Sequence, residues 1–213
     1  MKSDMRKHLL LYAVTDRAWT GAQTLYEQVE QAIRAGVTMV QLREKQLSTE
    51  DFIREARPIV ELCRAHGVPC LINDSIEVCQ AVHADGVHVG QSDMAAERAR
   101  ALLGPDAIIG VTAKTIEQAQ AAERAGADYI GTGAAFGSST KLDATYISAE
   151  QMKAVCESVS IPAVAIGGIT RENVPQLAGR GIAGIAVVSA IFAQPDIAAA
   201  TAELLELAKQ VTA

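Results

Sequence analysis

Aromatic side chains make up only 4% of this 213-residue chain, with one Trp, three Phe and four Tyr. So few rings exclude a core built on aromatic packing. They leave one assembled from Ala, Val, Ile and Leu, which suits helices lying close on a parallel sheet. An excess of positive charge is also missing. The formal net charge is −6, so no global field draws the chain to nucleic acid or to an anionic membrane, and any anion site must be local. No apolar run approaches the roughly 18–20 residues that span a bilayer. Met1 to His8 is polar, and Leu9-Leu10-Leu11 is too short for the core of a secretion signal, so the expected location is cytoplasmic. The four cysteines, Cys63, Cys70, Cys79 and Cys156, form no C-x-x-C pair and no zinc-spaced cluster with histidine. They read as small buried hydrophobes in a reducing compartment.

What is present is a regular alternation. Short apolar stretches read as strands at Leu9 to Val14, Thr38 to Leu42, Pro69 to Ile72, Gly86 to Val89, Ile108 to Val111, Asp128 to Thr132, Ala163 to Ile166 and Gly184 to Val188. Between them lie stretches with helical spacing. Ser48, Thr115 and Ser148 stand at helix starts, the last with Gln151 three residues on in a capping-box pattern, and Pro58 is expected to kink its helix. Arg171 to Ala178 and Asp196 to Val211 read as the last two helices. The turn into a strand recurs as Ala35-Gly36-Val37-Thr38, Ala84-Asp85-Gly86-Val87 and Ala125-Gly126-Ala127-Asp128, an echo of repeated βα units. Eight units without a linker predict an α/β fold, a single (β/α)₈ TIM barrel forming one domain over residues 1–213. The alternative, an open doubly wound sheet, wants a G-x-G-x-x-G turn after the first strand, and Tyr12 to Gly21 has none.

In such a barrel the site is built at the C-terminal strand ends, and there the polar residues collect. Strand two ends in Gln41-Leu42-Arg43-Glu44-Lys45, whose alternation puts Gln41, Arg43 and Lys45 on one face. Two cations and an amide converging this way suit a phosphate or pyrophosphate; the alternative is a solvated strand end. Asn73 and Asp74 follow strand three, Gln91 and Asp93 strand four, and Thr112 and Lys114 strand five. Asp74 and Asp93 on neighbouring strands would share a Mg²⁺ ion, a hard cation that bridges to substrate phosphate; each alone would also serve as a helix cap. His88 lies inside a strand and reads as a hydrogen-bonded core residue. Ser138-Ser139-Thr140-Lys141 lies in a long loop after strand six, read as a lid. Gly167-Gly168 and Val188-Ser189, after strands seven and eight, suit a monophosphate held by backbone N–H groups; the alternative is a tight turn without a ligand. Two anion sites and no obvious nucleophile point to chemistry in which pyrophosphate leaves and a second phosphorylated substrate attacks.

These motifs, in order, resemble the thiamine phosphate synthase family. The likeness rests on LYAVTDR (Leu11 to Arg17), VQLREK (Val40 to Lys45), Ile72-Asn73-Asp74, GVHVGQSD (Gly86 to Asp93) and Ile109-Gly110-Val111-Thr112. It continues in Ser138 to Lys141, Ala165 to Ile169 and Val187 to Ile191. The resemblance implies a Mg²⁺-dependent transferase joining 4-amino-2-methyl-5-pyrimidinylmethyl diphosphate to a thiazole phosphate, carboxylated or not. The products are thiamine monophosphate and pyrophosphate, formed through a dissociative substitution. It implies that Gln41, Arg43, Lys45, Asn73, Thr112 and Lys141 hold the diphosphate substrate, with Arg43, Lys45, Lys141 and Thr112 serving catalysis. Asp74 and Asp93 would bind Mg²⁺, and Ser138, Ser139, Thr140, Gly168, Val188 and Ser189 would hold the thiazole phosphate. It also implies small phosphorylated partners and a homodimer, for which the sequence carries no interface signature. Thr112, Lys114, Gly137, Ser138 and Leu142 stand where the family commonly has Ser, His, Pro, Thr and Pro. A looser lid and weaker thiazole-phosphate binding are therefore expected. Two rivals share the resemblance: a thiazole tautomerase, which wants a histidine base, and a non-catalytic barrel that binds thiamine precursors.

Overall fold

The computed structural model describes residues 5–90, 96–137 and 146–212. Eight parallel strands close in chain order: β1 (Leu11–Val14), β2 (Met39–Leu42), β3 (Cys70–Asn73), β4 (Gly86–Val89), β5 (Ile108–Thr112), β6 (Tyr129–Thr132), β7 (Ala163–Ile166) and β8 (Gly184–Val187). β8 pairs back onto β1 through Leu11 and Ile185. The expected (β/α)₈ barrel is the fold. Its outer layer is α2 (Leu25–Arg34), α3 (Thr49–Ala65), α4 (Ile76–Val82), α5 (Ala96–Leu103), α6 (Ile116–Arg124), α7 (Ala149–Glu157) and α9 (Ile197–Thr212). Two short helices complete the set, α1 (Met5–His8) below the barrel and α8 (Ser189–Phe192) after β8.

Strand alternation sorts the side chains into two cores. Leu11, Ala13, Val40, Leu42, Ile72, Val87, Ile109, Ile130 and Ala165 face outward and pack against the helices. Small helix residues such as Ala32, Ala56, Ala99 and Ala119, all essentially without exposure, let those helices lie close. Tyr12, Val14, Met39, Leu71, Ile108, Tyr129, Val164 and Ala186 face inward, and Met5 and Leu9 close the barrel floor beneath them. That plug explains why β1 starts at Leu11 and not at Leu9: Leu9 leaves the ladder to seal the base.

The recurrent turn into a strand has a physical reason. Thr38 Oγ1 accepts from the Leu11 N–H at 2.9 Å, Asp85 from Cys70 N–H at 2.8 Å, and Asp128 from Ile109 N–H at 2.8 Å. In each case the side chain entering one strand satisfies an amide at the start of the strand before it, the first residue of β1 and β3 and the second of β5, which would otherwise be buried unpaired. Arg100 then locks the Asp128 turn through Asp128 Oδ2 at 2.7 Å and the carbonyl of Ala107 at 2.6 Å.

The expected caps hold: Ser48, Thr115 and Ser148 each accept from the N–H three residues on. The box at Ser148 is only half made, because the Gln151 amide donates to the Lys114 carbonyl instead. The complete box is at α2, where Thr24 and Glu27 bond each other's backbone. Thr24→Ala is expected to cost about 1 kcal/mol, read as a lower urea midpoint at constant slope. Pro58 sits inside α3, which runs on for 17 residues. The helix expected over Arg171 to Ala178 is only a 3₁₀ turn, Val174–Leu177. Pro175 supplies no N–H there, and the side chain of Asn173 ties the preceding loop to itself. Among the described residues no helix is long and apolar enough to cross a membrane.

Candidate active site

β2 delivers its polar residues as alternation requires. Gln41 points into the barrel and is only 4% exposed. Beyond it the Arg43 N–H donates to Thr15 Oγ1 at 3.0 Å, and the Arg43 guanidinium reaches Asp16 at 3.3 Å. Glu44, on the opposite face, pairs with Arg17 at 3.0 Å. Lys45 forms an ion pair with Asp74, the residue just past β3. Asp74 takes a left-handed backbone, φ 64°, and its N–H donates to the His88 carbonyl at 2.9 Å. Ser75, not Asp74, caps α4 by accepting from the Val78 N–H. The capping alternative for Asp74 therefore falls, and its carboxylate turns to the rim and Lys45. Asn73 donates to the His88 carbonyl at 3.4 Å.

Beneath this rim runs a buried polar chain. The Gln41 amide Nε2 donates to the Tyr12 hydroxyl at 2.6 Å, and the hydroxyls of Tyr12 and Tyr129 lie 2.9 Å apart. His88 Nδ1 is 2.8 Å from the Tyr129 hydroxyl, and His88 Nε2 is 3.0 Å from Thr112 Oγ1. Glycine makes the room. A Cβ on Gly110 would stand 2.2 Å from the Tyr129 ring, and one on Gly131 would stand 3.1 Å from His88. Burial raises the pKa of both phenols well above the ordinary tyrosine value, so each stays a protonated O–H.

Across the mouth, Gly168 adopts φ 66°, and a Cβ there would stand 2.0 Å from the Gly137 carbonyl oxygen. Asn173 holds this loop from both sides, donating to the Gly168 carbonyl and accepting from the Thr170 N–H, each at 2.8 Å. Val188 precedes α8, whose first turn, from Ser189 on, leaves backbone amides without an intrahelical partner. A cavity of about 500 Å³ reaches Ser189 from the α9 side. Its lining carries Glu172, Asp196 and Glu203 against a single Arg171, which pairs with Glu172 and Glu203. That balance does not suit a phosphate, which leaves the barrel mouth as the candidate anion-binding face.

With this geometry in view, the chain compares closely with known proteins. A profile described as thiamine monophosphate synthase matches residues 11–191. The chain belongs to the thiamine monophosphate synthase family. It is 50% identical over 197 residues to the thiamine-phosphate synthase of Ruminiclostridium cellulolyticum, covering 92% of this chain and 94% of that one. It is 46% identical over 201 residues to thiamine-phosphate synthase 2 of Streptococcus pneumoniae, covering 94% and 96%. Among solved structures, the thiamine phosphate pyrophosphorylase of Pyrococcus furiosus superposes with a TM-score of 0.90 at 36% identity, covering 98% of this chain and all of that one. The chain is thus a transferase of thiamine biosynthesis with thiamine-phosphate synthase activity.

Within this synthase framework the barrel brings Lys45 to Asp74, and Gln41, through three buried side chains, to Thr112. It sets Gly168, Val188 and Ser189 on the β7 and β8 side of the same rim. The Arg43 guanidinium turns to Asp16. Asp93, Ser138, Ser139, Thr140 and Lys141 lie outside the described residues. His88 is the hydrogen-bonded interior residue expected of it, 9% exposed. Sequence reasoning missed Tyr12, Tyr129, Asp16 and Asn173. Tyr12 and Tyr129 had one signal: in a chain with four tyrosines, two fall at inward strand positions beside small residues.

Proposed function

We propose that this synthase condenses the aminopyrimidine diphosphate with the thiazole phosphate in the barrel mouth, with Mg²⁺ bound, and releases pyrophosphate. The observation that carries this reading is the meeting of Lys45 and Asp74 from consecutive strands on the rim that also holds Arg43. Arg43 and Lys45 would grip the diphosphate and neutralise charge as it departs. Gln41 and Asn73 would seat the aminopyrimidine. The backbone around Gly168, Val188 and Ser189 would hold the thiazole phosphate, keeping the thiazole nitrogen in line with the breaking bond. The aminopyrimidine ring supplies the electrons that expel the leaving group, so no protein base is needed. A carboxylated thiazole leaves these roles unchanged; CO₂ is then a further product.

The rim residues suit Mg²⁺. Asp74 offers a hard oxygen donor, and Asp93 would be the second. Among the described residues no group of three His, Cys, Asp or Glu gathers that would enclose a metal by itself. A site of one or two carboxylates completed by water and substrate phosphate is what Mg²⁺ takes. When bound, the ion would stabilise negative charge on the departing diphosphate. The tautomerase reading is less well supported, because it wants a free imidazole at the rim and both ring nitrogens of His88 face hydroxyls. Four buried free thiols support a reducing, cytoplasmic setting.

Pyrophosphate release decides the reading. Mixing the aminopyrimidine diphosphate, the thiazole phosphate and Mg²⁺ is expected to release pyrophosphate and thiamine monophosphate in equal amounts, to stop with EDTA, and to resume with excess Mg²⁺. No release under these conditions sinks the proposal in favour of the two rivals, and release that EDTA leaves untouched sinks its metal.

A further inference from the structure

β5 delivers one more polar group past Thr112. Along the strand Ile108 packs in the barrel interior, Gly110 makes room for the Tyr129 ring, and Thr112 meets His88, so these three face inward. Ala113 turns outward into the helix-facing core, and its N–H continues the ladder to the Gly131 carbonyl at 2.9 Å. The same alternation sets Lys114 on the face of Thr112, at the mouth. Two helices hold its backbone. The Lys114 N–H donates to Gln118 Oε1 of α6 at 2.8 Å, and its carbonyl accepts from Gln151 Nε2 of α7 at 3.0 Å. The side chain takes no part in this clamp. The residue is half-buried, and among the described residues no carboxylate pairs with its ammonium.

That placement is unfavourable for the folded chain alone. Lys114 directly precedes Thr115, the N-cap of α6, and a helix N-terminus favours negative charge, not positive. The other described cations of the mouth are already paired: Arg17 with Glu44 and Glu55, Arg43 with Asp16, and Lys45 with Asp74. Three positive charges there face four carboxylates, so without a metal that side of the mouth does not attract a diphosphate. We infer that Lys114 is a further diphosphate-binding residue, a cation that meets the aminopyrimidine diphosphate from β5 while Arg43 and Lys45 meet it from β2. The inference rests on the reading that the diphosphate lies at this mouth. It deepens that reading by separating the cations. Arg43 and Lys45 share their charge with Asp16 and Asp74 as the anion seats, whereas Lys114 offers its charge undivided.

Calorimetric titration with pyrophosphate in the presence of Mg²⁺ tests this without turnover. Lys114→Gln is expected to raise the pyrophosphate Kd about tenfold, the weight of one hydrogen bond from a charged group, and to make binding less sensitive to salt. Lys114→Arg is expected to stay within about threefold of the unaltered enzyme, because the charge returns. Tm is expected to hold within about 2 °C in both variants, since the backbone makes the clamp. In steady state Lys114→Gln should raise KM for the aminopyrimidine diphosphate by about the same tenfold and leave KM for the thiazole phosphate within about twofold. A Lys114→Gln enzyme that binds pyrophosphate as tightly as the unaltered one overturns the inference and leaves the synthase reading standing. Equal losses in Lys114→Gln and Lys114→Arg, or a KM rise confined to the thiazole phosphate, overturn it as well. If the unaltered enzyme binds no pyrophosphate, the diphosphate reading fails and the inference falls with it. Binding that weakens in Lys114→Gln while even the unaltered enzyme releases no pyrophosphate keeps Lys114 as an anion ligand and sinks the proposed reaction.

Discussion

Replacing Lys45 by alanine is expected to slow pyrophosphate release by about two to three orders of magnitude while leaving the fold nearly untouched. The two halves of that expectation have different causes. Lys45 and Asp74 form an ion pair whose side chains are 53% and 26% exposed. A pair as wet as this contributes at most about 1 kcal/mol to stability, since water screens it and two long side chains must be held still. For a chain of this size that is a shift of at most about 4 °C in Tm. Catalysis samples a different state. On the proposed reading, negative charge grows beside Lys45 as the diphosphate departs, and removing one preorganised positive group from such a position typically costs about 10²–10³ in rate. Lys45→Arg should recover part of the rate, because the charge returns in a different shape. The checks are kcat for pyrophosphate release and Tm from calorimetry on both variants. A loss of rate matched by a collapse in Tm would make the pair structural, and an unchanged rate would show that the diphosphate lies elsewhere.

The barrel was legible because its periodicity is nearly unbroken. The apolar runs at Gly86 to Val89 and Ala163 to Ile166 coincide with β4 and β7, and the helix-ending Gly36 and Gly126 stand just past α2 and α6. The places where the reading slipped share a cause: tertiary demands overrode local pattern. Leu9 continues an apolar run but leaves β1 because the barrel floor needs a plug. Gln151 completes a capping-box pattern but spends its amide on Lys114, since that carbonyl, 37 positions away, comes within reach only when β5 and β6 lie side by side. The rim was legible to the same depth. That Gln41, Arg43 and Lys45 share a face follows from strand alternation alone. That Lys45 finds Asp74, 29 positions away, follows only from β2 and β3 being neighbours. The buried polar chain under the mouth was legible only in the inward placing of its two tyrosines, because it joins β1, β2, β4, β5 and β6, and no spacing along the chain encodes contacts across a barrel.

Gly168→Ala is expected to be the most damaging single methyl group on the thiazole-phosphate side. Two costs fall on the same atom. With φ at 66° an L side chain loses roughly 1–2 kcal/mol to the clash with its own backbone. The added Cβ would also stand 2.0 Å from the Gly137 carbonyl oxygen, a distance at which backbone, not a flexible side-chain end, must move. Overpacking of this sort costs roughly 1–3 kcal/mol more. The sum, roughly 2–5 kcal/mol, should lower Tm by about 5–15 °C. Asn173 pins the loop through the Gly168 carbonyl and the Thr170 N–H, so relieving the clash strains those bonds as well. Any such shift moves the backbone amides that, on the proposed reading, would meet the thiazole phosphate. KM for the thiazole phosphate should rise by at least an order of magnitude. KM for the aminopyrimidine diphosphate, whose proposed binding residues come from β2, β3 and β5, should stay within about twofold. Equal increases in both would mean that the two anions do not occupy opposite sides of the rim. A thiazole-phosphate KM that stays put in a folded Gly168→Ala enzyme would remove the β7 loop from phosphate binding.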